Sequence, residues 1–165
     1  MIARRLFICL CALSIAACGT TGVKRSKTPY KKPPINVTVG QGPNRAMATY
    51  AMQFLGTPYY FGGSSPAQGF DCSGLIQYSA KNALNINMPR VAAKQGEFGR
   101  EINVDDLKAG DLVFFNTSGQ PNSHSGIYLG DTFFVHAPST GGMVRVDSLT
   151  NPYWQPRLNA ARRIK

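Results

Sequence analysis

The chain has 165 residues and a formal net charge of +10. With 43% hydrophobic and 16% charged residues, it is neither a disordered chain nor a collagen-like polymer, and it is long enough to bury one core. The basic excess does not indicate nucleic acid as a partner, because no helix-turn-helix, zinc finger or aromatic single-strand platform accompanies it.

Residues 1–17 have the three parts of a secretory signal: Arg4 and Arg5, an apolar run from Leu6 to Ile15, and small residues Ala16 and Ala17. The apolar run is too short to span a bilayer stably. The stretch Leu13-Ser14-Ile15-Ala16-Ala17-Cys18-Gly19 resembles a bacterial lipobox. That resemblance implies cleavage before Cys18, acylation of Cys18 and membrane attachment through the lipid. Gly19, where Asp would imply inner-membrane retention, implies an outer-membrane lipoprotein facing the periplasm. The plainer alternative is an ordinary signal peptide with an incidental cysteine. Residues 18–43 read as a lipidated Cys18 followed by a basic, Pro-rich linker, with Lys24, Arg25, Lys27, Lys31 and Lys32 and no acid. Such a segment stays extended and holds a domain away from the membrane. Cys9 and Cys11 leave with the signal, so Cys72 is the one thiol left in an oxidising compartment. A disulfide framework is thereby excluded.

The folded domain is expected over 44–165. Met47, Tyr50, Ala51, Phe54 and Leu55 recur at helical spacing, and Gly56 stops the helix. A glycine-rich loop follows. A second helix begins at Asp71 or Cys72, with Asp71 as N-cap and Cys72, Leu75, Ile76, Ser79 and Ala83 on its inner face. Asn85 to Pro89 ends it, and 91–98 form a short third helix. Strands are expected at 111–115, 123–129, 132–137 and 143–147, separated by Gly, Asp, Pro and Ser signals. Residues 151–165 fit either a helix or an edge strand. Helices followed by antiparallel strands make an α+β fold, with N-terminal helices packed on an antiparallel sheet.

Cys72 stands at a helix start, where free N–H groups and the helix dipole favour a thiolate. The chain has two histidines, His124 and His136. A three-residue loop centred on Gly130 would set them directly opposite each other, with Cβ atoms about 5 Å apart. His124 would then be the base for Cys72, and His136 would orient His124. Two plainer readings stand beside this one. Cys72 could be a buried small hydrophobe with structural histidines. Alternatively, Cys72, His124 and His136 could bind zinc, although no short ligand spacing supports a metal.

Asp71-Cys72-Ser73-Gly74, His124-Ser125-Gly126-Ile127-Tyr128-Leu129-Gly130 and Phe134-Val135-His136-Ala137 resemble the NlpC family of papain-like cell-wall cysteine peptidases. Gly56-Thr57-Pro58-Tyr59, Gly62-Gly63 and Leu107 to Phe115 extend the likeness. Asn151-Pro152-Tyr153-Trp154 and Ala161-Arg162-Arg163 are similar to a subgroup of outer-membrane murein endopeptidase lipoproteins. The resemblance implies a papain-like fold, Cys72 as nucleophile, His124 as base and His136 as third polar residue. It implies that Tyr59 assists at the oxyanion site beside the Cys72 N–H, with Tyr60 as the alternative. The implied substrate is a peptidoglycan stem peptide, cut at a D-glutamyl–diaminopimelate bond or a D,D cross-link by a monomer needing neither metal nor organic cofactor. A non-catalytic wall-binding lipoprotein, or an acyltransferase or amidase on the same fold, are the alternatives. Phe61 stands where the family often has Trp, and Ser125 where an apolar residue is usual.

Overall fold

The computed structural model describes residues 36–139 and 142–165. The signal segment, Cys18 and most of the basic linker lie outside the described residues. The last part of the stretch assigned to the linker by composition lies against the domain. Val37 and Val39 pack on the core, the Gly40 N–H donates to the Leu129 carbonyl at 2.7 Å and the Ala109 N–H donates to the Gln41 carbonyl at 3.2 Å.

Helix α1 (Arg45–Ala51) buries Met47, Ala48 and Ala51. It tightens into a 3-10 turn at Met52–Phe54 and ends at Gly56, whose φ of 86° suits glycine. The approach loop that follows contains a small antiparallel ladder, β1 (Ser64–Ser65) with β2 (Gly69–Phe70). Two-residue strands leave no periodicity to read in a sequence.

Helix α2 (Cys72–Leu84) begins directly after β2. Asp71 is its N-cap, with extended backbone and its carboxylate accepting the Gly74 N–H. Asn85 closes the helix in the left-handed conformation. Buried positions are Ser73, Gly74, Leu75, Ile76, Ser79 and Ala80, so Ala80 rather than Ala83 completes the inner face. Phe54, Phe70 and Tyr78 meet with centroids 5.2–5.5 Å apart and join the 3-10 turn after α1 to β2 and α2. Helix α3 (Ala92–Gln95) is shorter than the spacing suggests. Its Gln95 is buried and donates to the carbonyls of Ser73 and Pro89, bracing the start of α2.

The remaining strands are β3 (Arg100–Glu101), β4 (Leu112–Phe115), β5 (His124–Gly130), β6 (Phe133–His136), β7 (Arg145–Ser148) and β8 (Leu158–Arg163). They form one antiparallel sheet in the order β3-β8-β4-β5-β6-β7. The C-terminal segment is therefore a strand, and an interior one. Its mixed composition follows from its position: Ala161 is buried, and Arg163 is buried with a partner.

That partner is Asp111. Arg163 Nε and Nη2 donate to the two Asp111 oxygens at 2.7 and 2.6 Å, and Nη2 also reaches the Asp106 carbonyl at 2.8 Å. The Lys108 N–H caps the same carboxylate at 2.7 Å.

Period-two alternation assigns the sheet's faces. Leu112, Phe114, Ile127, Leu129 and Val135 join Met47, Leu75 and Ile76 in the core under the helices. Val113, Phe115 and Phe134 gather on the other face around Trp154.

The hairpin β5–β6 differs from expectation in register. Its turn is Asp131-Thr132, both at positive φ (48° and 71°), with a bulge between Tyr128 and Gly130. Tyr128 pairs with Phe134 and Ile127 with Val135. The ladder is thus two residues out from the symmetric arrangement about Gly130. Side chains alternate with period two, so this slip keeps His124 and His136 on one face and sets them diagonally.

Candidate active site

Cys72 is the first residue of α2, so its N–H has no acceptor within the helix. Asp71 fixes the junction. Its Oδ1 accepts from the Gly74 N–H at 2.7 Å, the Ser73 hydroxyl at 3.1 Å and Arg90 Nη1 at 2.9 Å. Its Oδ2 accepts from Arg90 Nη2 at 2.7 Å and the Gly62 N–H at 3.0 Å. Arg90 also reaches the Ser73 hydroxyl and the Gly63 carbonyl. Burial alone would raise the Asp71 pKa, but the Arg90 guanidinium and the Gly74 N–H outweigh it and hold the carboxyl low. Gly74 allows this closure, because a Cβ there would collide with the Gly63 carbonyl. The sequence carries no signal for Arg90, which lies 19 residues beyond its partner.

Cys72 is partly exposed and is the free cysteine of the described residues. Burial of its sulfur pushes the thiol pKa up, and the Asp71 carboxylate adds to this. The nearby Ser125 N–H and hydroxyl, and the Ser73 N–H, act in the opposite direction by favouring the anionic sulfur. The Ser125 hydroxyl oxygen is fully buried and has no hydrogen-bond partner. A donor left in that state is available to a sulfur as it becomes anionic. Ser125→Ala is therefore expected to slow alkylation of Cys72 by iodoacetamide and to raise the pH midpoint of that reaction. An unchanged midpoint would remove Ser125 from this role.

His124 opens β5 next to Ser125, so the strand that contacts the thiol also carries the first histidine. His124 Nε2 and His136 Nδ1 are 2.8 Å apart, and His136 Nε2 lies 2.9 Å from Asp147 Oδ2. The same oxygen accepts from Trp154 Nε1 at 2.9 Å and from Arg145 Nε and Nη2 at 3.1 and 3.0 Å. Trp154 stacks on His124 (5.2 Å, 22°) and sets its edge to His136 (4.9 Å, 85°). Asp147 and Trp154 complete a row that sequence reasoning left at His136. The missing information was the β6–β7 register, which opposes His136 to Arg145 and so puts Asp147 on the same face.

The hydrogen bonds assign the tautomers. Burial alone would raise the Asp147 pKa, but the bonds from His136, Arg145 and Trp154 bring it down to about 2. An ionised carboxylate only accepts, so His136 Nε2 carries the hydrogen. Burial pushes the His136 pKa down, against the pull of Asp147, so the ring is neutral and its Nδ1 accepts. His124 Nε2 then donates, and His124 Nδ1 holds the lone pair. Burial, His136 and Arg145 push the His124 pKa down to about 3, with Asp147 opposing.

These shifts bear on acid stability. A buried neutral histidine resists a proton that the unfolded chain accepts near 6.5, so the His124 contribution is present above that pH and lost as pH falls toward about 3. The depressed Asp147 adds a loss of the same sign between about 3.8 and 2. The urea midpoint is expected to be lower at pH 4.5 than at pH 7.5, and His124→Gln should shrink that difference. An equal difference in both proteins would contradict the buried neutral state.

Tyr59 is partly buried against the core, whereas Tyr60 is half exposed. Burial, then the charges of Cys72 and Asp71, raise the Tyr59 phenol pKa. Of the two tyrosines, Tyr59 is the one near enough to Cys72 and Asp71 for their charges to act on its phenol. Among the described residues, no group of three or more His, Cys, Asp or Glu is arranged to hold a metal ion.

Comparison with known proteins agrees with this geometry. Residues 56–163 match the model of the NlpC/P60 family. Murein DD-endopeptidase MepH of Escherichia coli is 43% identical over 116 residues, 68% of this chain and 43% of that protein. The probable endopeptidase NlpC of the same organism is 36% identical over 168 residues, 98% of this chain and 99% of that one. The chain spans less than half the length of MepH and more than two thirds of that of NlpC. The crystal structure of a lipoprotein-like NLP/P60 protein from Staphylococcus aureus superposes with a TM-score of 0.66 at 36% identity, over 78% of this chain and 44% of that one. Helices packed on an antiparallel sheet make the domain papain-like, and by sequence and fold together the chain belongs to the NlpC/P60 family.

Proposed function

We propose that this protein is a cysteine peptidase that hydrolyses amide bonds in peptidoglycan stem peptides or their cross-links. The observation that carries the proposal is the row His124–His136–Asp147, which starts on the strand whose Ser125 acts on Cys72, the first residue of α2. In this reading Cys72 Sγ attacks the scissile carbonyl and His124 Nδ1 takes the thiol proton. The oxyanion is met by the Cys72 N–H, with the Tyr59 hydroxyl beside it. The S–C bond forms, the C–N bond breaks, and His124 returns the proton to the leaving amine. Water then attacks the thioester with His124 as base, and Cys72 leaves as the thiol. His136 and Asp147 hold His124 in the tautomer that this sequence of steps needs.

The relatives named as murein DD-endopeptidase and endopeptidase support the substrate class. The test is digestion of purified sacculi with product analysis by mass spectrometry. Release of peptides whose new termini mark one amide, stopped by prior alkylation of the thiol, is expected. Intact sacculi, or release that survives alkylation, would overturn the proposal.

The proposal extends to the envelope. The signal and lipobox pattern supports an outer-membrane lipoprotein facing the periplasm, anchored by acylated Cys18. Palmitate label that persists in Cys18→Ala would refute the anchor.

A further inference from the structure

A cavity of about 390 Å³ opens beside the histidine row. Thr117, His124, Pro138, Arg145, Tyr153 and Trp154 line it, and Cys72 does not. Arg145 is the one charged side chain on its wall among the described residues. With the Thr117 and Tyr153 hydroxyls nearby, the cavity is rich in donors and has no carboxylate of its own on its wall.

Arg145 is both anchored and available. Its Nε and Nη2 are held on Asp147. Its Nη1 has no protein partner among the described residues, and the side chain is 45% exposed. A guanidinium held on one edge and open on the other is preorganised for a second oxyanion.

We propose that Arg145 binds a carboxylate on the substrate residue whose amine leaves, making this cavity a leaving-group subsite that selects a free carboxylate over a carboxamide. The inference rests on the peptidase reading above. The acyl half of the substrate becomes bonded to Cys72. The leaving amine must come to His124, which returns its proton. A cavity that shares His124 and excludes Cys72 therefore lies on the leaving side.

The charge arrangement gives the contact a second consequence. The Arg145 cation disfavours a proton on His124. A bound carboxylate offsets that cation, so His124 holds its proton more readily when a correct leaving group is in place. Of the two bonds open to this enzyme, the D,D cross-link puts a free carboxylate on the carbon that bears the leaving nitrogen. In the D-glutamyl–diaminopimelate bond, the corresponding carboxyl is tied up in the next amide. The site favours the cross-link.

The experiment uses two synthetic cross-linked peptides that differ only in a free or amidated carboxyl on the leaving residue. A charge-assisted hydrogen bond corresponds to about ten- to hundred-fold in kcat/KM, and the wild-type protein should prefer the free acid by that factor. Arg145→Gln should bring the ratio to within about twofold, and Arg145→Lys should restore part of it. Equal rates for the two peptides in the wild type, or an undiminished preference in Arg145→Gln, would overturn the inference while leaving the peptidase reading intact. Binding gives an independent readout, because Trp154 is the chain's one tryptophan and lines the cavity. Its fluorescence should respond to the free-acid leaving fragment at lower concentration than to the amide, and Arg145→Gln should abolish the difference. If neither peptide is cut but this difference is present, Arg145 binds the carboxylate and the peptidase reading, with the leaving-group role, fails. If the fragments bind alike, the subsite fails.

Discussion

Cys72→Ala is expected to lower kcat/KM on a cross-linked muropeptide by about 10⁴-fold or more, a loss of at least ~5.5 kcal/mol of transition-state stabilisation. The fold should be unaffected, because Cys72 is a partly exposed first-turn residue and Asp71, not Cys72, makes the cap. His124→Ala should fall to about the same floor, since a nucleophile without its base is no better than neither. The double variant should fall no further, as expected of groups that act as a unit. Asp147→Asn tests the far end of the row. Asp147 Oδ2 takes three other donors besides His136, so the amide oxygen keeps that place and His136 Nε2 still donates, now to a neutral acceptor. The proton that His124 gains during the reaction then loses the carboxylate that favours it. A loss of about 10²-fold, mainly in kcat, is expected within the usual range for acid–base catalysis. The histidine titration followed by ¹⁵N shifts should move to lower pH, because the carboxylate no longer favours the charged rings. Wild-type rates in Cys72→Ala would end the covalent mechanism. An Asp147→Asn protein with an unchanged histidine titration would detach Asp147 from it.

The largest effect on stability is expected at Asp111. Removing one partner of a buried ion pair leaves the other charged and unpaired, and the cost is about 3–5 kcal/mol. Asp111 is fully buried and Arg163 nearly so, and their two short bonds tie the lead-in of β4 to the end of β8. Asp111→Ala should therefore lower Tm by roughly 15 °C in a domain of this size. The double variant Asp111→Leu/Arg163→Met removes both charges and should recover most of that loss, since apolar replacement of a buried pair is often near neutral. Urea unfolding of the three variants decides the matter. A small loss in Asp111→Ala, or a double variant no better than the single one, would show that the pair is solvated.

Much of this architecture is written locally. The helix start at Cys72 follows from Asp71 as N-cap, the stop from Asn85, and four strands of the main sheet from short runs set off by turn residues. Cysteine counting and the two histidines brought Cys72, His124 and His136 together before any fold was known. The turn was harder, because a bulge adds a residue without leaving a mark in composition. The expected loop about Gly130 is displaced, and the two histidines share a face because the displacement is even.

The rest depends on partners distant in sequence. Leu158–Arg163 looks like an edge strand or a helix because its two arginines read as solvent-facing. Only the arrival of Asp111, 52 residues away, makes Arg163 a buried residue of an interior strand. Asp147 and Trp154 belong to the site through the β6–β7 register and a stacking contact, neither of which has a local signature. Arg90 is placed at the Asp71 cap by α3 and its preceding loop, and Arg145 is aimed at its cavity by Asp147. The sequence by itself determined the one candidate thiol, its helix and the family to which the chain belongs, since caps, spacing and residue counts are short-range or compositional. Only the tertiary structure decided which atom of His124 carries the lone pair, what holds it there and which side of the site is positively charged, because hydrogen-bond direction and burial exist only once separate strands have met.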